Sequence, residues 1–253
     1  MKSKLLLGAA VLVLSLTTGA ACAAPSAAVT AAVADKGRPE ADTKRDADRK
    51  PAEMLEFAGV KPGQTVVELI PGGGYFTRIF SKAVGPKGVV YAVGGPLRPS
   101  ADPAKPAPTP AADVIAADPN YANVRSLHLP LAAGVTVPAK ADLVWTSQNY
   151  HDVKNLPNVD MLAFNKSIFD ALKPGGTYIV LDHVANADAV NSTSTLHRID
   201  PAVVKKEVQE AGFKFVGESN VLRNPNDDRT KTVFDGAVRS HTDQFIYKFA
   251  KPK

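Results

Sequence analysis

Apolar positions along the chain switch between two periods. Gln64 to Ile70 (QTVVELI) is a run of β-branched and aliphatic residues bounded by Pro62-Gly63 and Pro71-Gly72, the pattern of a strand buried on both faces. The period then changes: Phe76, Ile79, Phe80 and Ala83 fall on one face of a helix predicted from Tyr75 to Val84. Strand-like runs recur at Gly88 to Val93, Val124 to Leu129, Ala141 to Thr146 and Gly176 to His183, with a helix expected from about Asn158 to Leu172 between the last two. Asp200 or Pro201 opens a further helix to Ala211 that Gly212 ends. Phe213 to Leu222 and Asp243 to Ala250 read as closing strands. Strands alternating with helices predict βαβ units, so the expected class is α/β with a mostly parallel sheet of seven strands and helices on both faces. The two consecutive strands at the C-terminus predict an antiparallel hairpin at one edge.

The ends of the pattern differ in kind. Lys2 and Lys4 precede an apolar run, Leu5 to Leu16, too short to cross about 30 Å of hydrocarbon as a helix, and small residues follow from Thr17 to Ala24. Residues 1–24 are therefore expected to be a signal peptide cleaved after Ala23 or Ala24. The alternative is lipidation of Cys22: Gly19-Ala20-Ala21-Cys22 resembles a bacterial lipobox in its small residues but lacks the usual Leu at Gly19. Either route implies an exported protein, periplasmic or secreted, with no integral membrane span after cleavage. Residues 25–48 shift to Ala, Asp, Lys and Arg without apolar periodicity and are expected to be a flexible linker, with the folded domain over 49–253. Six prolines between Gly94 and Pro110 forbid a helix there and predict an extended, exposed excursion.

Composition narrows the chemistry. The formal charge is +5, and two of those charges, Lys2 and Lys4, belong to the expected signal. What remains is too small and too evenly spread to imply a nucleic-acid partner. The single cysteine, Cys22, excludes an intramolecular disulfide framework, a Cys-based zinc site and a CxxC redox motif. The five histidines are scattered without H-E-x-x-H or H-x-x-E-H spacing, so no metal is expected, and no G-x-S-x-G elbow is present.

Chemistry is expected instead in two loops at strand ends. Pro71-Gly72-Gly73-Gly74 lies between a strand and a helix, where glycines let backbone approach a ligand closely in the crevice beyond the strands' carboxyl ends. Glu68-Leu-Ile-Pro-Gly-Gly-Gly74 resembles the glycine-rich first motif of class I S-adenosylmethionine (SAM)-dependent methyltransferases. Ala171-Leu-Lys-Pro-Gly-Gly-Thr177 followed by Tyr178-Ile-Val-Leu-Asp182 is similar to the same family's fifth-strand segment. More narrowly, Pro71 to Thr77, Gln148-Asn-Tyr-His-Asp152 and His197-Arg-Ile-Asp200 resemble a bacterial group of predicted methyltransferases that often carry signal peptides. The resemblance, spanning Arg49 to Lys251, implies a Rossmann-like seven-stranded sheet and SAM as cofactor. It implies that Gly72, Gly73 and Gly74 cradle the methionyl and ribose parts, that Glu68 receives the ammonium, and that Tyr75 lines the pocket. Two positions depart from the pattern. Ile70 stands where the motif has its first glycine, and the second strand ends in Gly94-Gly95 where the family offers a carboxylate to the ribose hydroxyls. Loss of that charge-assisted bond is worth about 1.5 to 3 kcal/mol. Either another residue compensates, or the cofactor binds weakly, or it is not SAM.

The second loop, Trp145 to Asp152, places Asn149, Tyr150 and His151 at the end of a central strand. Asn149 is expected to hydrogen-bond a substrate and Tyr150 to shape the transfer pocket. His151 is the candidate general base, since an imidazole with an ordinary pKa of about 6.5 suits proton removal near neutrality. Its alternative is a loop-stabilising bond to Asp152 or backbone. His183 and His197 are further candidates, and the connection Arg223 to Thr242 is expected to cover the substrate pocket. The function expected is methyl transfer to a small molecule. The alternatives are an exported, non-catalytic ligand-binding protein retaining the fold and a nucleotide-dependent oxidoreductase.

Overall fold

The structure, a computed structural model, describes residues 24–253. The basic n-region, the apolar run and Cys22 lie outside the described residues. Among the described residues, four short helices precede the first strand: α1 (Ala27–Val33), α2 (Glu40–Thr43), α3 (Asp46–Arg49) and α4 (Pro51–Ala58). There follow β1 (Thr65–Leu69), α5 (Tyr75–Val84), β2 (Val89–Gly94), α6 (Ala111–Ala117), β3 (Val124–His128) and β4 (Ala141–Ser147). The rest of the chain forms α7 (Tyr150–Lys154), α8 (Met161–Ala171), β5 (Leu172–His183), α9 (Ser192–Thr195), α10 (Pro201–Glu210), β6 (Lys214–Ser219) and β7 (Gln244–Ala250).

The strands form one seven-stranded sheet in the order β3-β2-β1-β4-β5-β7-β6. Neighbouring pairs from β3 to β5 are parallel, whereas β7 runs antiparallel to both β5 and β6. The continuous apolar runs follow from burial of both sheet faces. Val66, Leu143, Trp145 and Ile179 point into a core shared with α1, α4, α5 and α6; Val67, Val144, Tyr178 and Val180 point into one shared with α8 and α10. The predicted α/β class, the helix from Tyr75 to Val84 and the closing antiparallel pair are all present.

Several details bear on the expectations. The C-terminal pair lies antiparallel at one edge as expected, with β7 between β5 and β6 and residues 220–243 making the connection. The helix expected from Asn158 begins at Met161, because Asn158 takes a left-handed φ of 58° and Asp160 caps the N-terminus by accepting from Leu162 and Ala163. The short helix α6, which follows the exposed excursion, was not predicted.

The largest difference concerns residues 25–48, expected to be a flexible linker. Ser26 caps α1, whose Val29 and Ala32 are buried in the same core as α5. Arg38 makes a bidentate pair with Asp46 at 2.8 and 2.7 Å, and Arg78 of α5 bonds Asp42 at 2.9 Å. The segment is part of the folded body. Its apolar positions are few and small, so no hydrophobic period marks them.

Candidate functional site

The carboxyl ends of β1 and β4 carry both predicted loops. Beyond Leu69, Ile70 adopts φ 52°, a left-handed conformation that is strained for a β-branched residue. This is the position where the resembling motif has glycine: the turn demands that conformation, and isoleucine is held in it by neighbours. Ile70 N–H donates to Val93 O at 2.8 Å, and Asn149 Nδ2 donates to Ile70 O at 3.1 Å. Gln148, at the end of β4, also has a positive φ of 60°. Such conformations collect where surrounding structure over-determines a site.

Gly74 (φ 79°) starts α5, and a Cβ there would lie 2.1 Å from Ile115 Cδ1, so the loop packs closely on α6. Gly72 and Gly73 are the opposite: a Cβ on either meets nothing within 4 Å. Both line a cavity of about 200 Å³ whose walls include Arg45, Arg49, Glu68, Tyr75, Gln148 and Asn149. The predicted cofactor residues Glu68, Gly72, Gly73 and Tyr75 therefore meet here, and Asn149 joins them. Gly74 lies behind, as the helix cap.

Glu68 is 3% exposed and accepts a 2.5 Å hydrogen bond from Thr77 Oγ1. Burial pushes its carboxyl up to about 8, although the Thr77 hydroxyl, Arg49 and Arg78 pull the other way. A carboxyl protonated in the fold and ionised when unfolded loses stability as pH rises, here between its ordinary value of 4.5 and about 8. Denaturation over that window should show Glu68→Gln lacking a fall of about 1.4 kcal/mol per pH unit seen in the wild type. Parallel pH profiles for the two proteins would contradict it.

Beside this cavity lies a second of about 210 Å³, and Arg45, Arg49, Phe76 and Gln148 line both. Gln148 Oε1 accepts from Arg49 Nη2 at 2.7 Å and its Nε2 donates to Gln244 Oε1 at 2.8 Å, so one side chain ties the helical N-terminal segment to the sheet. Met54, Leu181, Leu222, Val233 and Phe234 supply apolar wall; Arg239 and His183 add polar groups. The connection 223–242 thus contributes a wall of this cavity. It is held by Arg198, fully buried and paired with the equally buried side chain of Asp227 at 2.8 Å, and by Arg223 and Arg229 on Asp243.

Arg49 stacks 4.8 Å from the Tyr75 ring centroid, and burial, reinforced by the like charge of Arg45, lowers its guanidinium to about 10. A desolvated cation bordering two cavities attracts anionic groups in either. Arg45, in the stretch read as linker, and Arg49, at the first residue of the expected domain, sit one helical turn apart where no motif marks either.

Two of the expected catalytic residues lie elsewhere. Tyr150 is fully buried in the core on the α8 and α10 side; its hydroxyl donates to Glu207 Oε2 at 2.9 Å and accepts from Asn165 Nδ2 at 2.8 Å. It lines neither cavity, because the chain turns into α7 at this residue. His151 lines neither cavity as well. It is 2% exposed, its backbone N–H donates to Asp182 Oδ2 at 2.9 Å, and Nδ1–H donates to Asp182 Oδ1 at 2.8 Å. Burial opposes its protonation, but the Asp182 carboxylate outweighs that and raises its pKa.

The histidine facing the second cavity is His183, whose Nδ1 lies 2.7 Å from Thr242 Oγ1 and which burial lowers to about 4. The scattered histidines are also less scattered than the chain suggested. A bridge between Val184 and Ile199 carries His197 back beside the end of β5, so His151, Asp152 and His197 come together.

No protein-family profile matches the chain, and no curated protein matches it in sequence. Solved structures do match. A SAM-dependent methyltransferase from Aquifex aeolicus aligns over 85% of this chain and 99% of its own with a TM-score of 0.55 and 18% identity. The fold is that of the class I SAM-dependent methyltransferases. Further instances of this methyltransferase fold are the CcbJ methyltransferase from Streptomyces caelestis (TM-score 0.52, 15% identity, 87% of this chain and 100% of that one) and CrArsM, an arsenic(III) S-adenosylmethionine methyltransferase from Chlamydomonas reinhardtii (TM-score 0.52, 16% identity, 91% and 75%). The glycine-loop cavity lies at the carboxyl ends of β1 and β4, and the second cavity adjoins it across Phe76 and Gln148.

Proposed function

We propose that the protein is an exported methyltransferase that takes SAM as cofactor and a small amphipathic molecule as acceptor. The observation that carries this reading is the cavity lined by Gly72 and Gly73, walled by a buried acidic group and sharing Arg49, Phe76 and Gln148 with a second cavity of mixed polar and apolar lining. An oxidoreductase of the dinucleotide-binding type would have the sheet order 3-2-1-4-5-6, whereas here an antiparallel strand enters beside β5.

The residues present fit the methionyl end of the cofactor. Gly72 and Gly73 leave room for it, Glu68 becomes an acceptor for its ammonium on losing a proton, and Arg49 supplies a cation. Gly94 and Gly95 leave the ribose end without the family's carboxylate, and among the described residues Glu68 is the one carboxylate lining this cavity. When bound, SAM supplies an electrophilic methyl group for in-line displacement. Asn149 fixes the glycine loop against β4, and Gln148 and Phe76 set the boundary that acceptor and methyl group must share. Positioning supplies most of the rate in such a reaction. His183, lowered to about 4, is a weak base, which favours acceptors with a lone pair already available at neutral pH. Arg45, Arg49 and Arg239 outnumber the one carboxylate among the described residues lining the second cavity, Asp48, and lie beside Met54, Leu222 and Phe234, which favours an amphipathic body bearing an anionic group.

Transfer of label from methyl-tritiated SAM to a panel of aromatic carboxylates, amines and neutral alcohols tests the proposal. Labelling concentrated in anionic amphipathic acceptors is expected. Binding of S-adenosylhomocysteine without transfer to any class would favour the non-catalytic reading, which the missing ribose carboxylate supports.

No helix of the described residues is long and apolar enough to cross a membrane. Export rests on the basic and apolar N-terminal pattern, and intact mass of the secreted chain checks it: a start at Ala24 or Pro25 is expected, or a lipidated Cys22. A chain retaining Met1 would refute processing.

A further inference from the structure

We propose that His151, Asp152 and His197 form a divalent-metal site of the zinc type, with Asp182 as its outer-shell carboxylate. His151 Nε2 lies 3.3 Å from His197 Nδ1 and 3.4 Å from Asp152 Oδ1, and His197 Nδ1 lies 3.5 Å from Asp152 Oδ1. The three atoms form a nearly equilateral triangle. Ligands at about 2.0–2.1 Å from a tetrahedral zinc stand about 3.3 Å apart, so this triangle matches one face of a tetrahedron and leaves a fourth position open. Octahedral ligands at similar bond lengths would stand closer, at about 3.0 Å.

The surroundings are those of a metal ligand set. His151 Nδ1–H donates to Asp182 at 2.8 Å, which places the imidazole proton on Nδ1 and leaves the Nε2 lone pair directed at the triangle. Asp182 is fully buried and is itself fixed by the backbone N–H groups of His151 and His183. His197 sits at φ 54° between Leu196 and Arg198, whose N–H groups both bond Ser192 O, and Arg198 is fully buried. The ligand is thus held in place from both sides. The side chains of His197 and Asp152 are 32% and 46% exposed, which provides a path for the ion.

The site would fasten α7, which follows β4, to the segment 191–200. That segment meets the wall of the second cavity: the His197 ring lies edge-on to Phe234 at 4.8 Å, and Val233 N–H donates to Leu196 O at 3.2 Å. A bound ion therefore stiffens that wall. The proposal stands on the side-chain cluster and is independent of the cofactor reading.

The test uses untagged protein, stripped by a chelator and titrated with Co²⁺ and Zn²⁺. The wild type should take up one equivalent of Co²⁺ with the intense visible bands of four-coordination, displaced by one equivalent of Zn²⁺. Asp152→Asn and His197→Ala should each bind roughly 100-fold more weakly or worse, since even outer-shell changes cost about 10–100-fold. Far-ultraviolet circular dichroism identifies any variant that fails to fold, and the other then decides. Absence of micromolar binding in the wild type, weak six-coordinate bands, or undiminished affinity in the folded variants would overturn the site.

Discussion

Gly73→Phe is expected to lower affinity for S-adenosylhomocysteine by more than about 100-fold, about 2.7 kcal/mol, while leaving the protein folded. Among the loop glycines this position separates the cavity from the backbone most cleanly. Gly72 and Gly74 adopt φ 55° and 79°, so any side chain there is strained, and at Gly74 it also meets Ile115. Gly73 has no such backbone demand, a Cβ on it meets nothing within 4 Å, and the residue lines the cavity. A phenyl ring there takes the cofactor's volume without breaking a contact. The melting temperature should move by no more than about 2 °C, as for an ordinary surface substitution. Unchanged affinity in Gly73→Phe would place the adenosyl site elsewhere.

Arg198→Leu is expected to have the largest effect on stability, about 3–5 kcal/mol. Both side chains of the Arg198–Asp227 pair are fully buried, and Arg198 also donates to Val184 O at 3.1 Å and Lys231 O at 2.9 Å. Burial works against ionisation of Asp227, but Arg198 and the N–H groups of Asp243 and Arg229 outweigh it and hold the carboxyl below its ordinary range. Removing the arginine leaves a buried carboxylate without its cation. Because these bonds anchor the connection that walls the second cavity, the variant should also lose acceptor affinity more than cofactor affinity. Chemical denaturation checks the first effect. The double variant Arg198→Leu with Asp227→Leu should recover part of the loss, since both charges then leave together. A cost below about 1 kcal/mol for Arg198→Leu would contradict the account.

The strands could be read from the chain because each is buried on two faces, so Val66, Val67 and Leu69 form an unbroken apolar run. The helix from Tyr75 to Val84 was readable for the complementary reason, its buried residues recurring on one face. The N-terminal helices were not. Ala32 and Val29 are small, and the ties that order the segment are Arg38 to Asp46 and Asp42 to Arg78, pairings set by tertiary approach. At the site, Glu68 and the glycines carried a local signature, whereas Arg49 and Gln148 act through a bond spanning nearly a hundred positions of sequence. Asn149, Tyr150 and His151 looked alike as neighbours. A single helical turn sends them to the glycine loop, the core and Asp182 respectively. His197 joins His151 only because the chain folds back at Val184 and Ile199.

Calorimetric titration of the wild-type protein with S-adenosylhomocysteine, with NAD as the comparison ligand, tests the central claim most directly. One equivalent should bind with a dissociation constant below millimolar, and NAD should produce no saturable heat. No binding of S-adenosylhomocysteine at millimolar concentration, or saturable binding of NAD alone, would contradict the assignment of the glycine-loop cavity as an adenosyl cofactor site.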